Sequence, residues 1–390
     1  MPRSPEMHLH SVRQMVPCRG SVVVPVAEAA ARSMTLASDV YAVADSPSFD
    51  NSQMDGYAVP DTAEGAYDVG RTVPAGADVA SLYPLGLEGR AAPVMTGAPL
   101  PAGTRAVVPV EACTPHEFVG EGATVRVPAT TEGSFMRFTG EDIRHGALLA
   151  RAGTDIGAPV AGALAAQGIT EVEVDRPARV MIVTGGAEVS GVDVGASGRA
   201  TVRDANGPML RAMAERSGID VVGAIATDDN PEVLAAAIAR AVEELRPDAV
   251  VTSGGISHGA FEVVRQVFTN GWYGHVDQQP GGPQGLSTYE GIPVISLPGN
   301  PLSTLVSFRL YVAPVLGRAP EPVWVPLAAG VNGIAGKVQF ARGRIIDGCA
   351  APVGGAGSHL LAQSAGATCL LQIPANAHLD AGDLVYVYPL

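Results

Sequence analysis

The sequence predicts a multidomain α/β plus β protein that combines a doubly wound α/β domain with β-rich modules. Three features predict it: apolar strands alternating with helices from residue 178 onward, glycine turns where two of these strands end, and short alternating stretches rich in Gly, Pro, Thr and Val elsewhere. Alternation of strands and helices is typical of a parallel sheet covered by helices. At 390 residues the chain is long enough for roughly two to four domains.

Shifts in composition divide the chain into four predicted domains. They are a discontinuous linking domain, a β-rich module, an α/β domain and a small C-terminal β-domain, over residues 1–48 with 139–176, 49–138, 177–317 and 318–390, respectively. The linking domain contains a helix predicted over Val26–Leu36 and another over Pro159–Gln167. The proline-rich segment Arg318–Pro322 is typical of a linker and marks the last boundary.

The α/β domain is predicted to hold four strands, over Arg179–Val183, Val221–Ala226, Asp248–Thr252 and Pro293–Leu297. Its helices are predicted to be capped by Asn206, Asn230 and Asn300, because each asparagine is followed within two residues by a proline that suits a first helical turn. In such sheets ligands bind at the carboxyl ends of the strands.

Two glycine turns lie at those strand ends. Glycine turns that open helices aim backbone N–H groups at one point, where an anion can sit. Capping alone explains the second turn, but the pairing of two turns favours a site for a phosphorylated ligand. The predicted binding residues are Ser253, Gly254, Gly255 and Ser257 in the first turn, and Pro298, Gly299, Asn300, Pro301 and Ser303 in the second.

Acidic residues near turns and strand ends are candidates for metal or proton chemistry. Asp55 and Asp142 lie in glycine-containing turns, and both are equally explained as turn or capping residues. Asp228 precedes a helix, where it would complement the helix dipole, and Glu188 follows a strand by a few residues. Clustered carboxylates at strand ends also suit a hydrated divalent cation such as Mg²⁺.

Composition excludes several classes of protein. The formal net charge of −14 argues against a nucleic-acid partner, which needs a basic surface. No apolar run approaches the length of about 20 residues that a membrane span needs, so no membrane insertion is expected. The four cysteines form no CxxC pair, and no signal peptide precedes them, which predicts a cytoplasmic protein. P-loop, zincin and Gly-x-Ser-x-Gly motifs are also missing.

Six ordered motifs carry a resemblance to a known family. They are Asn51–Val59 (NSQMDGYAV), Thr96–Pro101 (TGAPLP), Thr139–Ile143 (TGEDI), Asp204–Leu210 (DANGPML), Ser253–Ser257 (SGGIS) and Leu297–Pro301 (LPGNP). With these motifs the chain resembles the molybdopterin molybdenumtransferases, the MoeA proteins, which are related to the E domain of gephyrin. The motifs span nearly the whole chain.

The resemblance implies a molybdenum insertase that converts adenylylated molybdopterin and molybdate into molybdenum cofactor and AMP, with Mg²⁺ present. It implies a homodimer in which the α/β cleft of one subunit faces the β-rich module of the other. The glycine turns and Thr96 would bind the substrate. The implied catalytic residues are Asp55, Asp142, Glu188, Asp228 and Glu262, of which Asp55, Glu188 and Asp228 would hold the metal.

Some positions depart from the family pattern. A turn that carries two lysines in many members is Gln279-Pro280-Gly281-Gly282-Pro283 here. Ala260 stands where the family pattern has an acidic residue, so Glu262 would have to take over the role of that residue. Because these changes weaken the implied site, a second hypothesis stays open: a family member that acts as a dimeric scaffold for a protein partner, or that binds the pterin without turnover.

Overall fold

A computed structural model describes residues 3–185, 189–190, 202–227, 230–256, 263–355, 357 and 360–390. The chain forms two compact units, one of Val22–Val174 and one of Met1–Ser21 with Asp175–Leu390. The finer division into four domains stays a prediction. Among the described residues, no helix combines the length and apolar character that a membrane crossing requires.

A six-stranded sheet organises the α/β part of the second unit. We label its strands β1 to β6 in chain order: Arg179–Gly185, Asp220–Thr227, Ala249–Ser253, Gly271–His275, Pro283–Tyr289 and Ile292–Leu297. Their spatial order is β2-β1-β3-β6-β5-β4. The strands β2, β1, β3 and β6 are parallel, whereas β5 runs antiparallel to both of its neighbours, β6 and β4. The predicted doubly wound α/β fold is therefore confirmed.

Helices cover both faces of this sheet because its strands are apolar on both sides. One face presents Ile182, Val251 and Ile295 to a core shared with the helices Asn206–Arg216 and Pro301–Ser307. The other face packs against the helices Pro231–Leu245 and Val263–Val267. Fully buried parallel strands show such continuous apolar runs.

The sequence analysis does not predict β4 and β5, which are rich in glycine and polar residues. A Cβ on Gly274 would lie 2.5 Å from the Trp272 ring, and one on Gly285 would lie 2.5 Å from the Tyr273 ring. The glycines thus make room for the aromatic side chains of β4, which hides the usual strand pattern.

The same unit contains an N-terminal helix and a C-terminal β-sheet. The helix Pro5–Met15 buries His8 and Val12. The helix Pro301–Ser307 continues as a π-helical segment, Phe308–Val312, and ends as Ala313–Leu316. The C-terminal sheet has the order Gln278–Gln279, Val338–Ile346, Cys369–Ile373, Leu384–Pro389 and Val323–Pro326, with Cys349–Pro352 paired to Val338–Ile346. Smaller pairs are Val331–Asn332 with His378–Leu379, and Val189–Ser190 with Val202–Arg203.

The unit Val22–Val174 is built from short strands. Its central strand Gly56–Val59 lies between Ala92–Val94 and Ala106–Pro109. Its other pairs are Ser21–Pro25 with Glu171–Asp175, Val40–Tyr41 with Leu148–Ala150, Asn51–Ser52 with Met136–Arg137, and Gly65–Asp68 with Thr124–Val127. Its α-helices are Val26–Ala31, Val79–Leu82 and Ala158–Ala166. The first ends five residues earlier than predicted, because Ser33 adopts a positive φ of 46°.

Candidate functional site

Three neighbouring strands end together at one edge of the α/β sheet. Thr184, Ser253 and Leu297 stand in register on β1, β3 and β6. Because these strands are parallel, the turns after β3 and β6 lie side by side, next to the end of β1. These two turns are the ones that the sequence predicts as an anion site.

The backbones of these turns approach closely because glycine occupies the contact points. Gly254 has a φ of +95°, and a Cβ on it would lie 2.7 Å from the carbonyl oxygen of Gly185. A Cβ on Gly299 would lie 3.1 Å from the Cα of Gly254. The Gly254 N–H donates to the carbonyl of Leu297 at 3.1 Å. Any side chain at Gly254 would therefore push its turn away from the end of β1.

Hydroxyl groups at this edge link the two turns by hydrogen bonds. The buried Ser253 hydroxyl lies 3.2 Å from the Pro298 carbonyl oxygen and 3.0 Å from the Thr304 hydroxyl. The Thr304 hydroxyl also donates to the Pro298 carbonyl at 2.6 Å. Ser303 is buried beside them. The side chain of Ser253 thus holds the second turn.

Asp204 connects a further turn to this edge. Its Oδ2 accepts a hydrogen bond from the Thr184 hydroxyl at 2.9 Å, and its Oδ1 accepts from the N–H groups of Asn206 at 2.9 Å and Gly207 at 3.0 Å. The prediction that Asn206 caps its helix is therefore wrong. Asp204 does so, because its short side chain reaches the free N–H groups two and three residues ahead.

Asn206 instead reaches across to the second glycine turn. Its Nδ2 donates to the carbonyl oxygen of Gly299 at 2.7 Å. Asn300 occupies the predicted cap position of the helix Pro301–Ser307, but its side chain accepts no hydrogen bond from that helix. The Oδ1 atoms of both asparagines are buried and have no hydrogen-bond partner within the described part of the chain. Buried acceptors are normally paired, so these two are suited to receive donors from a ligand.

In the unit Val22–Val174, the acidic turns expose their carboxylates at the surface. Asp55 is exposed, and its Oδ1 accepts from the Thr96 N–H at 2.7 Å and from the Thr96 hydroxyl at 2.8 Å. These two hydrogen bonds lower the pKa of Asp55, because they stabilise the charged form. Both bonds use Oδ1, so they orient the exposed carboxylate without engaging Oδ2.

The same arrangement recurs five residues earlier, at a position that the sequence did not single out. The Oδ1 atom of Asp50 accepts from the N–H and the hydroxyl of Thr139, each at 2.8 Å. Asp142 lies in the turn after Thr139, where its N–H donates to the Ser46 carbonyl at 2.9 Å and its side chain is exposed. The one cue in the sequence to this role of Asp50 was its place five residues before Asp55.

The remaining predicted residues, Glu188, Asp228, Ser257 and Glu262, lie outside the described residues. Within the described ranges, no three His, Cys, Asp or Glu side chains come together as a metal site. Of the three predicted metal ligands, only Asp55 lies within the described residues. Mg²⁺ usually needs only one or two carboxylates when substrate phosphates and waters complete its shell, and the exposed carboxylate of Asp55 is a suitable donor.

Comparison with known families matches the chain in three consecutive parts. Residues 3–168 match the MoeA N-terminal region (domain I and II), residues 180–318 match a probable molybdopterin binding domain, and residues 325–390 match the MoeA C-terminal region (domain IV). Together these matches cover nearly the whole chain.

Similar proteins and structures agree with these matches. The chain is 34% identical over 417 residues to molybdopterin molybdenumtransferase 2 of Mycobacterium tuberculosis, and each chain is covered completely. It is 30% identical to molybdopterin molybdenumtransferase 1 of the same organism, covering 93% of this chain and 94% of that protein. A crystal structure of a molybdopterin biosynthesis MoeA protein from Pyrococcus horikoshii aligns over 100% of this chain and 99% of its own, with 28% identity and a TM-score of 0.79.

Proposed function

The chain belongs to the MoeA family, and from that premise we propose that it is a molybdopterin molybdenumtransferase of molybdenum cofactor biosynthesis. It converts adenylylated molybdopterin and molybdate into molybdenum cofactor and AMP. The observation that carries this proposal is the sheet edge where the turns after β3 and β6 approach each other and the end of β1, because such close approach of glycine backbones suits the phosphates of this substrate.

The residues of the site fall into two roles under this proposal. The turns at Ser253–Gly255 and Pro298–Asn300 bind phosphate through their backbones, and the open amide oxygens of Asn206 and Asn300 accept donors from the rest of the substrate. Asp55, with Asp142, positions the scissile phosphate or molybdate. Thr96 keeps Asp55 ionised and oriented. The predicted roles of the other site residues remain proposals; these residues are Glu188, Asp228, Ser257, Ser303 and Glu262.

We include Mg²⁺ in this proposal as a partner of Asp55, Glu188 and Asp228. When bound, a divalent cation neutralises charge that develops on a phosphoanhydride as it breaks. The contribution of the chain itself is to orient the Asp55 carboxylate through the two Thr96 hydrogen bonds, which also lower its pKa. The direct test is dependence of AMP release on added Mg²⁺.

A homodimer is also proposed. Exposed apolar side chains near the acidic turns support it, because Phe49, Phe135 and Phe138 lie at the surface of the unit Val22–Val174. Light scattering after size-exclusion chromatography would give twice the chain mass of 39.8 kDa. The cytoplasmic location stays a prediction, with all four cysteines free as it requires.

The experiment that tests the enzymatic proposal is a reconstitution. Purified protein is mixed with adenylylated molybdopterin, molybdate and Mg²⁺, and AMP release is followed together with activation of an apo-molybdoenzyme. We expect both signals to rise together. AMP release without activation, or neither signal, contradicts the proposal.

A scaffold function is the second candidate, and two observations favour it. The family's turn lysines are replaced by Gln279 and Gly282, and the C-terminal β-domain exposes Trp324, which is 65% accessible, and Leu384. Under this candidate the protein binds a partner through that apolar surface and releases no AMP. The reconstitution separates the two candidates.

A further inference from the structure

Two turns orient the exposed acidic side chains of the unit Val22–Val174. The Thr96 turn, Thr96–Pro101, holds the Asp55 carboxylate by two hydrogen bonds. The Asp142 turn, Thr139–Ile143, contains the exposed Asp142. Because the two turns lie far apart in the sequence, the spacing of the two carboxylates depends on the contacts that join the turns.

The main chain of Asp50 and Ser52 is attached to the Thr96 turn. The Asp50 carbonyl accepts a hydrogen bond from the Leu100 N–H at 3.0 Å, and the Ser52 N–H donates to the Ala98 carbonyl at 3.0 Å. Ser52 is fully buried. These hydrogen bonds use backbone groups alone, so they do not depend on which side chain stands at position 50.

The side chain of Asp50 bonds to the Asp142 turn instead. Its Oδ1 accepts from the N–H and from the hydroxyl of Thr139, each at 2.8 Å. The strand Asn51–Ser52, which directly follows Asp50, pairs with the strand Met136–Arg137 that leads into this turn. Asp50 thus contacts one turn through its carbonyl and the other through its carboxylate, and this one residue connects both.

Within the Asp142 turn, Asp142 carries the acidic side chain that is not used to shape the turn. The Glu141 carboxylate accepts from the Phe138 N–H at 2.9 Å. The Asp142 N–H donates to the Ser46 carbonyl at 2.9 Å, and the Ile143 N–H donates to the same oxygen at 3.2 Å. The place of the Asp142 carboxylate therefore follows from the place of the turn.

We propose that Asp50 is a positioning residue, whose carboxylate connects the Asp142 turn to the Thr96 turn and so sets the spacing of the Asp55 and Asp142 carboxylates. This inference rests on the proposed function, in which both carboxylates act on one phosphate or molybdate. Groups that act on one centre must be held within about 0.5 Å of their productive positions. The role of Asp50 requires an acceptor oxygen but no negative charge, whereas the role of Asp55 requires the charge.

The test compares three variants with the wild type in the AMP-release assay. Asp50→Ala removes the acceptor of Thr139 and should lower kcat about tenfold with KM within about twofold, because displacing a catalytic group mainly slows the chemical step. Asp50→Asn keeps Oδ1 as an acceptor and should retain kcat within about twofold. Asp55→Asn should lose about 100-fold, so the two asparagine variants separate a positioning carboxylate from a reacting one.

A double-mutant cycle shows whether Asp50 acts through Thr139. Thr139→Val removes the hydroxyl bond to Asp50 and keeps the N–H bond. Asp50→Ala already removes both bonds, so adding Thr139→Val to it should lower kcat by less than about twofold further. Losses that simply multiply in the combined variant overturn the inference.

Asp78→Ala is the matched control for the loss of an exposed hydrogen-bonding carboxylate. The Asp78 side chain accepts from the Ser81 N–H at 3.3 Å and from the Ser81 hydroxyl at 2.5 Å, outside both turns. This variant should leave kcat unchanged. An unchanged kcat in Asp50→Ala, an equal loss in Asp78→Ala, or an equal loss in Asp50→Asn overturns the inference.

Hydrogen exchange measured by mass spectrometry keeps this test separate from the proposed function. If the wild type releases no AMP, the proposed function fails, and the exchange of the Asp142 and Ile143 amides still compares the proteins. Both amides bond to the Ser46 carbonyl, which no variant alters, so faster exchange reports loosening of the turn. We expect exchange about tenfold faster in Asp50→Ala and wild-type exchange in Asp50→Asn. Equal exchange in all three proteins overturns the inference.

Discussion

The edge of the α/β sheet and the acidic turns of the unit Val22–Val174 present polar groups to a ligand in opposite ways. At the sheet edge, side chains such as Ser253 and Asp204 are used in hydrogen bonds to neighbouring segments, so binding is left mainly to the glycine backbones. In the acidic turns the backbone and hydroxyl of Thr96 orient Asp55, and the carboxylate faces outward. The first region is suited to binding and the second to chemistry.

This difference predicts different consequences of substitution. A change at the sheet edge should disturb the fold and binding together, because the residues that shape the site also hold it together. A change at an exposed carboxylate should leave the fold intact and reduce turnover. The following variants test that contrast, beginning with the largest expected effect.

Gly254→Ala should abolish nucleotide binding and lower stability. The alanine would adopt a φ of +95° and place its Cβ 2.7 Å from the Gly185 carbonyl oxygen. Gly291→Ala is the matched control, because Gly291 has a φ of +84° with no atom within 4 Å of its Cβ position. Strain of about 1–3 kcal/mol is common to both variants. Urea unfolding and AMP binding should show a further loss only in Gly254→Ala, and equal losses in both would refute the close-approach argument.

Asp55→Asn should reduce AMP release about 100-fold, since misplacing a reacting group costs about that much. Its melting temperature should stay near that of the wild type because the residue is exposed. Asp78→Asn is the control: Asp78 is also exposed and has a pKa lowered by hydrogen bonds from Ser81. Equal turnover in the two variants would remove Asp55 from the site.

The buried His8 gives the α/β unit a pH dependence of its own. Its ring lies 4.6 Å from that of Tyr311, and burial, with the charge of Arg3, lowers its pKa to about 3. The unfolded chain binds a proton below its ordinary pKa of about 6.5, while the folded chain does not. Stability is therefore complete above that pH and falls by about 1.4 kcal/mol per pH unit toward pH 3.

Urea unfolding at several pH values checks this prediction. His8→Phe should remove the slope that is due to His8 between about pH 6.5 and the lowered value. His10→Gln changes an exposed histidine of the same helix and should keep that slope. Identical pH profiles for His8→Phe and the wild type would contradict the assigned burial of His8.

Thr96→Val should produce the smallest effect. The Thr96 N–H bond to Asp55 remains and only the hydroxyl bond is lost, so the pKa of Asp55 should rise toward its ordinary value. The acidic limb of the pH–rate profile should then move to higher pH, whereas the rate at neutral pH should change little because the carboxylate is still ionised there. Thr96→Ser keeps the hydroxyl and should retain the wild-type profile.

The sequence predicted those parts of the fold that depend on local patterns. The strands β1, β2, β3 and β6 are apolar runs bounded by turn residues, and Asn230 caps the helix Pro231–Leu245 as predicted. The strands β4 and β5 were not predicted, because their glycines make room for neighbouring aromatic rings and so interrupt the usual strand pattern. Local patterns also placed both glycine turns correctly at neighbouring strand ends.

The contacts of the candidate site were less accessible to sequence reasoning. Asn206 is a good capping residue by type, yet it bonds to Gly299, 93 residues away. The carboxylate of Asp50 bonds to Thr139, a contact that depends on the pairing of the strands beside these two residues. Such partners depend on tertiary contacts between turns, and residue type alone does not identify them.

The contrast between the two regions is tested most directly by measuring binding and turnover on the same two variants. Isothermal titration with AMP and the AMP-release assay are applied to Gly254→Ala and Asp55→Asn. We predict that Gly254→Ala loses binding and turnover together, whereas Asp55→Asn binds AMP like the wild type and releases little product. The reverse result, with AMP binding lost in Asp55→Asn and retained in Gly254→Ala, would contradict the division of binding and chemistry between the two regions.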